Sequence, residues 1–166
     1  RRLENGEIRQ RLRLQFGRLD ITAEELEGRN QRSALFKTMF LAFRAAGAKD
    51  WRSHLTIALD HSGAQHRLQF HHIFPKAVLK TSFTAREADD IANLAFIGGK
   101  TNRALSDKAP AVYLPPLVDE LGEPAFAAQC IPVEASLLEV ESYKAFLLER
   151  RKRIATALNT FVGPAD

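Results

Sequence analysis

Four side chains in one stretch of the chain could together bind a cation and move a proton: His71 and His72 as a doublet, Asn93, and Asn102 nine positions later. A neutral imidazole binds metal ions, and its unperturbed pKa of about 6.5 lets it accept a proton near neutrality. Arg67-Leu68-Gln69-Phe70 is a strand-like run that Pro75 ends, so the doublet sits at a strand end. Successive side chains on a strand point to opposite faces. That argues against two equal ligands of one ion and for a division into one ligand and one base. Adjacent histidines carry no motif by themselves, and a partly buried, hydrogen-bonded pair is the competing reading.

Elements must bring these residues together. Asn93-Leu94-Ala95-Phe96-Ile97 is a compact apolar run closed by Gly98 and Gly99, which predicts a strand followed by a tight turn. After the turn, Lys100 to Leu105 can open a helix. A strand from His66 to His72, a second from Asn93 to Ile97 and a helix starting near Thr101 make a β-β-α unit. Asn102 then lies on the first helical turn, where its amide oxygen could reach an ion held by His71. Each Asn alone also reads as a cap or loop brace.

The combination, HHIFPK, then NL before the glycine turn, then NR, resembles the HNH (ββα-metal, His-Me finger) nuclease motif. Asn102 stands where the motif commonly has its last His, as in the HNH domain of the CRISPR effector nuclease. The downstream SDKAP and Tyr113-Leu114 extend the likeness toward the C-terminal nuclease domains of GmrSD-type and SspE-type modification-dependent restriction proteins. The match runs from Phe70 to Pro110, a quarter of the 166 residues.

The resemblance implies His71 and Asn102 as metal ligands, His72 as the general base that activates water, and Asn93 as the residue that holds the loop and orients that base. It implies a DNA endonuclease, nicking or cutting both strands, in restriction or anti-phage defence. It also implies an N-terminal, nucleotide-using sensor domain in the full-length protein. A cation at an anionic phosphodiester stabilises developing charge, and a positioned base contributes about 10²–10⁴-fold. Two neutral ligands leave the remaining coordination to water and phosphate, which suits Mg²⁺. Imidazole also suits Mn²⁺, Ni²⁺ or Zn²⁺.

Arg103 follows the second ligand, and Lys76, Lys100 and Lys108 flank the motif, so positive charge would surround a bound phosphate. An ordinary solvated surface is the competing reading of this cluster. His54, His61 and His66 are not read as further ligands. Lys and Arg number 24 against 20 Asp and Glu, a net charge of +4 that permits a polyanionic partner without requiring one. The single cysteine, Cys130, excludes a disulfide framework and fits a reducing cytoplasm. No apolar run reaches the roughly 18 residues of a membrane span.

The chain opens at Arg1 without an initiator Met, in a charged helical pattern, which points to a piece of a longer protein. Residues 1–50 read as helical. Thr22 with Glu25, and Thr84 with Glu87, are capping-box signals, the second predicting a helix through Ile91. Leu35, Phe36, Met39, Phe40 and Phe43 form a buried helical stripe. Leu55 to Asp60 is β-compatible and could form a hairpin with Leu68 to His71. Pro110, Pro115, Pro116, Pro124 and Pro132 predict loops and short turns. Glu134 to Phe161 predicts one long helix, with Arg150-Arg151-Lys152-Arg153 as a solvated helix end. The whole reads as one α+β domain, residues 1–166, with a ββα-metal core at about 55–114 inside a mainly helical domain. The alternative function is a catalytically silent DNA-binding module of the same fold. A protein-interaction domain with incidental histidines is a third.

Overall fold

A computed structural model describes residues 5–16, 20–58 and 68–163. Helices α1 (Asn5–Phe16), α2 (Ala23–Leu26) and α3 (Ala34–Ala45) come first, then strand β1 (Leu68–His72). Short helices α4 (Lys76–Leu79) and α5 (Ala85–Ala88) and a 3₁₀ turn (Ile91–Asn93) lead into strand β2 (Leu94–Gly98). Helix α6 (Gly99–Leu105) follows directly, then α7 (Pro110–Leu121), α8 (Glu123–Ala127) and α9 (Tyr143–Val162). Both predicted capping pairs act at helix starts. Thr22 N–H reaches the Glu25 carboxylate at 3.4 Å, and Thr84 N–H reaches Glu87 at 2.8 Å while Glu87 N–H returns to Thr84 Oγ1.

β1 and β2 form an antiparallel pair with His71 opposite Ala95 and His72 opposite Leu94. The free edge of β2 is closed by a side chain: Gln129, fully buried, accepts from Phe96 N–H and donates to Phe96 C=O, each at 2.8 Å. Its amide thus mimics one rung of a third strand. Phe96 packs among Phe36, Phe40 and Phe43 of α3 at ring separations of 4.8–6.0 Å. The predicted aromatic stripe is therefore core.

α9 packs against α2, α3 and the 3₁₀ turn before β2, and its buried row Phe146, Arg150, Ile154, Leu158, Val162 repeats every fourth residue. Arg150 lies within that row with no exposure. Its guanidinium donates to the carbonyls of Ala92 (2.8 Å), Leu94 (2.7 Å) and Gln129 (3.0 Å), and it stands 6.0 Å from the Phe43 ring centre. Burial lowers its pKa to about 10, which leaves it charged at neutrality.

Several expectations change. The basic cluster is mid-helix rather than a solvated end: Arg151 pairs with buried Asp90 at 2.7 Å, Arg153 with Glu134 and Glu149, and Lys152 alone is exposed. The C-terminal helix starts at Tyr143, because residues 135–137 and 140–142 form separate 3₁₀ turns. The helix after Thr84 ends at Ala88, where Asp90 caps the following 3₁₀ turn through Ala92 N–H. Pro110 opens α7, and Pro115 and Pro116 lie inside it. Val112, whose carbonyl loses its helical donor to Pro116, is 63% exposed, so water can satisfy it. Thr56 forms an isolated bridge with Lys49 and β1 pairs with β2, while residues 59–67 of the proposed hairpin lie outside the described residues.

Arg150→Met should destabilise the protein by at least about 3 kcal/mol in urea unfolding, because three buried carbonyls lose their donors.

Candidate metal and proton-transfer site

The alternation of β1 sends the histidine doublet into two different environments. His71, 2% exposed, faces α6 and α7. Its Nδ1 lies 2.9 Å from Asn102 Oδ1, and its Nε2 lies 3.1 Å from the Tyr113 hydroxyl. Trp51 stands edge-on to the imidazole at 5.9 Å. His72 faces the opposite side beside half-exposed Phe70, with Nε2 at 2.8 Å from Asp89 Oδ1.

Asn102 reaches His71 because the start of α6 is anchored from a distant segment. Gly98, at the helix start, has no side chain to cap with, and the buried Asp50 carboxylate takes that role. It accepts from Gly98 N–H and Thr101 Oγ1, both at 2.7 Å, and from Ser53 N–H at 2.8 Å. A Cβ at position 98 would sit 3.3 Å from Asp50 Oδ1, so glycine allows this close approach. Burial alone would raise the Asp50 carboxyl, but bonds from Ser53, Thr101 and Gly98 outweigh it and hold the pKa low.

Protons can be assigned around His71. Tyr113 O–H donates to the Ile73 carbonyl at 2.7 Å, and a carbonyl only accepts. The Tyr113 oxygen must therefore accept from His71 Nε2–H. Burial, aided by the nearby His72, lowers the His71 pKa to about 4 against the bond from Asn102, so the ring is neutral and Nδ1 bears a lone pair. Asn102 Nδ2 donates to Gln69 Oε1 at 3.1 Å, which turns Oδ1 toward that lone pair. Two lone pairs at this separation repel, and the repulsion is relieved by a cation bound to both or by turning both amides so that Asn102 donates to the ring. In either case Nδ1 carries no proton. Adjacent ligand atoms of an octahedral ion with bonds of about 2.0–2.1 Å lie roughly 2.9 Å apart, so the pair fits such an ion. Among the described residues, no three His, Cys, Asp or Glu side chains form a cluster that could hold a metal.

Asn93 is fully buried and clamps the chain after β1. Its Oδ1 accepts from Phe74 N–H at 2.8 Å, and its Nδ2 donates to the carbonyls of Phe74 (3.0 Å) and Ala88 (2.9 Å). It touches neither histidine through these bonds and fixes the backbone that carries them. Arg103, Lys100 and Lys108 are exposed. Lys108 also lines a cleft of about 510 Å³ with Trp51, Arg52, Tyr113 and Glu120. Lys76 is exposed and paired with Asp89 at 2.9 Å. His54 is exposed in a loop, whereas His61 and His66 lie outside the described residues.

Sequence reasoning missed Asp50, Gln69 and Asp89, and gave Tyr113 no role. For Gln69 a signal existed: it shares the strand face of His71 by the period of two. Asp50, Asp89 and Tyr113 carry no local signal.

In the metal-free protein, His71 makes folding pH-dependent. Its folded pKa lies below the unfolded value of about 6.5, so protonation favours the unfolded chain. Stability should be full above about pH 6.5, fall by roughly 3 kcal/mol as pH drops toward 4, and then level off. Urea midpoints across this range should show the slope, and His71→Gln should remove that part of it. Comparisons with protein-family models, curated proteins and solved structures found no match for this chain.

Proposed function

We propose that the chain is a metal-dependent DNA endonuclease domain of the HNH (ββα-metal) type. The observation that carries the reading is the 2.9 Å approach of His71 Nδ1 to Asn102 Oδ1, two potential ligand groups 31 residues apart in sequence, on a strand-strand-helix unit. A divalent ion bound there would stabilise charge on the scissile phosphate and the leaving oxygen. The short separation favours octahedral Mg²⁺ or Mn²⁺, since adjacent ligands of tetrahedral zinc lie roughly 3.3 Å apart.

His72 supplies the base. Water loses a proton to Nδ1 as its oxygen forms a bond to phosphorus, the bond to O3′ breaks, and O3′ takes a proton from solvent. The products are a 5′-phosphate and a 3′-hydroxyl. His71 stays neutral and holds its lone pair toward the ion, and Asn93 keeps the following loop in place. Exposed Arg103, Lys100 and Lys108 are the side chains we assign to phosphate contact. Lys76 meets DNA only in part, since Asp89 already shares its charge. A role in restriction or anti-phage defence, coupled to a nucleotide-using sensor domain, follows from the resemblance of the motif. Among the described residues, no helix is long and apolar enough to cross a membrane.

Supercoiled plasmid incubated with Mg²⁺ or Mn²⁺ should convert to open-circle or linear form. EDTA should stop the conversion, and His72→Ala should slow it by about 10²–10⁴-fold while leaving DNA binding intact. Cutting that survives His72→Ala would remove the base assignment. DNA binding without cutting under either metal would point to a silent binding module.

A further inference from the structure

Among the described residues His72 has one polar partner, and that partner is built from a separate element. Asp89 directly follows α5, and its backbone N–H caps that helix by bonding to the Ala85 carbonyl at 3.1 Å. The capping box of Thr84 and Glu87 fixes the other end of the same short helix. The Asp89 carboxylate meets His72 Nε2 at 2.8 Å and Lys76 Nζ at 2.9 Å through Oδ1, and Lys76 again at 3.1 Å through Oδ2. The His72 and Asp89 side chains are 21% and 32% exposed. At that exposure an ion pair contributes little to stability, so this arrangement does little for the fold. It does much for the ring.

Burial would raise the Asp89 carboxyl, but its bonds to Lys76 and His72 prevail and hold its pKa below the ordinary value. An ionised carboxylate can only accept, so Nε2 must be the protonated nitrogen. In the neutral ring Nδ1 is then the bare nitrogen, and no described residue is hydrogen-bonded to it. We propose that Asp89, anchored by Lys76, is the positioning residue of His72: it holds the ring with Nδ1 unprotonated and turned away from the carboxylate, ready to take the proton of the attacking water. This rests on the nuclease reading above and adds to it a His–Asp dyad whose two members come from β1 and the end of α5. Once Nδ1 has taken the proton, the same carboxylate faces an imidazolium and stabilises it. Lys76 serves the dyad by keeping Asp89 in place.

The test compares the unchanged protein, Asp89→Ala, Asp89→Glu and Lys76→Ala in Mn²⁺-supported plasmid cleavage at saturating and limiting DNA, with Mn²⁺ affinity titrated on each. Asp89→Ala should lower kcat by roughly 10- to 100-fold without raising KM, since removal of a negative charge cannot weaken DNA binding. Mn²⁺ affinity should be unchanged, because neither proposed ligand is touched. Asp89→Glu should recover part of the loss, and Lys76→Ala should lose less than Asp89→Ala. Nitrogen-15 NMR of the metal-free protein adds a readout independent of cleavage. The His72 Nε2–H should be protected from exchange in the unchanged protein and unprotected in Asp89→Ala.

Wild-type kcat in a folded Asp89→Ala protein, or an Nε2–H equally protected without Asp89, would overturn the dyad and leave the nuclease reading standing. An unchanged protein that cuts with neither metal would overturn the nuclease reading and the dyad with it.

Discussion

The segment Ala92-Asn93-Leu94 is held from two directions, and the site depends on that grip. From one side the buried guanidinium of Arg150 takes the carbonyls of Ala92 and Leu94. From the other, the Asn93 side chain between them takes Phe74 and Ala88. A desolvated cation among carbonyls is costly to bury, but once buried it is hard to move, since every displacement strips it of partners. The start of β2, the chain after β1 and the end of α5 are thereby tied to one point. His71 and His72 lie just before that chain and Asp89 just after α5, so the groups that could do chemistry share this anchor.

One step along β1 separates two electrostatic regimes. His71 sits in a buried pocket of Tyr113, Trp51 and Asn102, where burial favours the neutral ring. His72 sits at the half-exposed margin, against a carboxylate and an ammonium. A neutral ring suits binding a cation, and a ring backed by a carboxylate suits accepting a proton. The strand's alternation produces both from two identical residues.

Much of this was legible in the chain. The apolar run Leu94–Ile97 closed by glycines, the strand before Pro75 and the helix carrying Asn102 appear within a residue or two of expectation, because short-range patterning determines them. The role of Asn93 as a loop brace was also readable. The fine structure of the site was not, because it depends on distant partners. Asp50 caps α6 across 48 residues, Tyr113 reaches His71 across 42, and Asp89 reaches His72 across 17. The basic cluster misled because four charges in a row suggest solvent. The row of every fourth residue from Phe146 to Val162 placed Arg150 in the core all along. The prolines of α7 misled for a related reason, since a helix with a wet flank tolerates missing donors there.

Arg150 comes 45 or more residues after every residue of the β1–β2–α6 unit that it steadies. Synthesis proceeds from the N-terminus, at about 5–20 residues per second, so the anchor leaves the ribosome only after the strands and α6 are complete. The carbonyls of Ala92 and Leu94 wait for it, as the Ile21 backbone waits for Asn159, which binds it at 2.9 Å through both amide atoms. The His71–Asn102 pair therefore lacks its support on a nascent chain and gains it when α9 docks. Maturation of the site in this sense waits for α9, which acts as its latch.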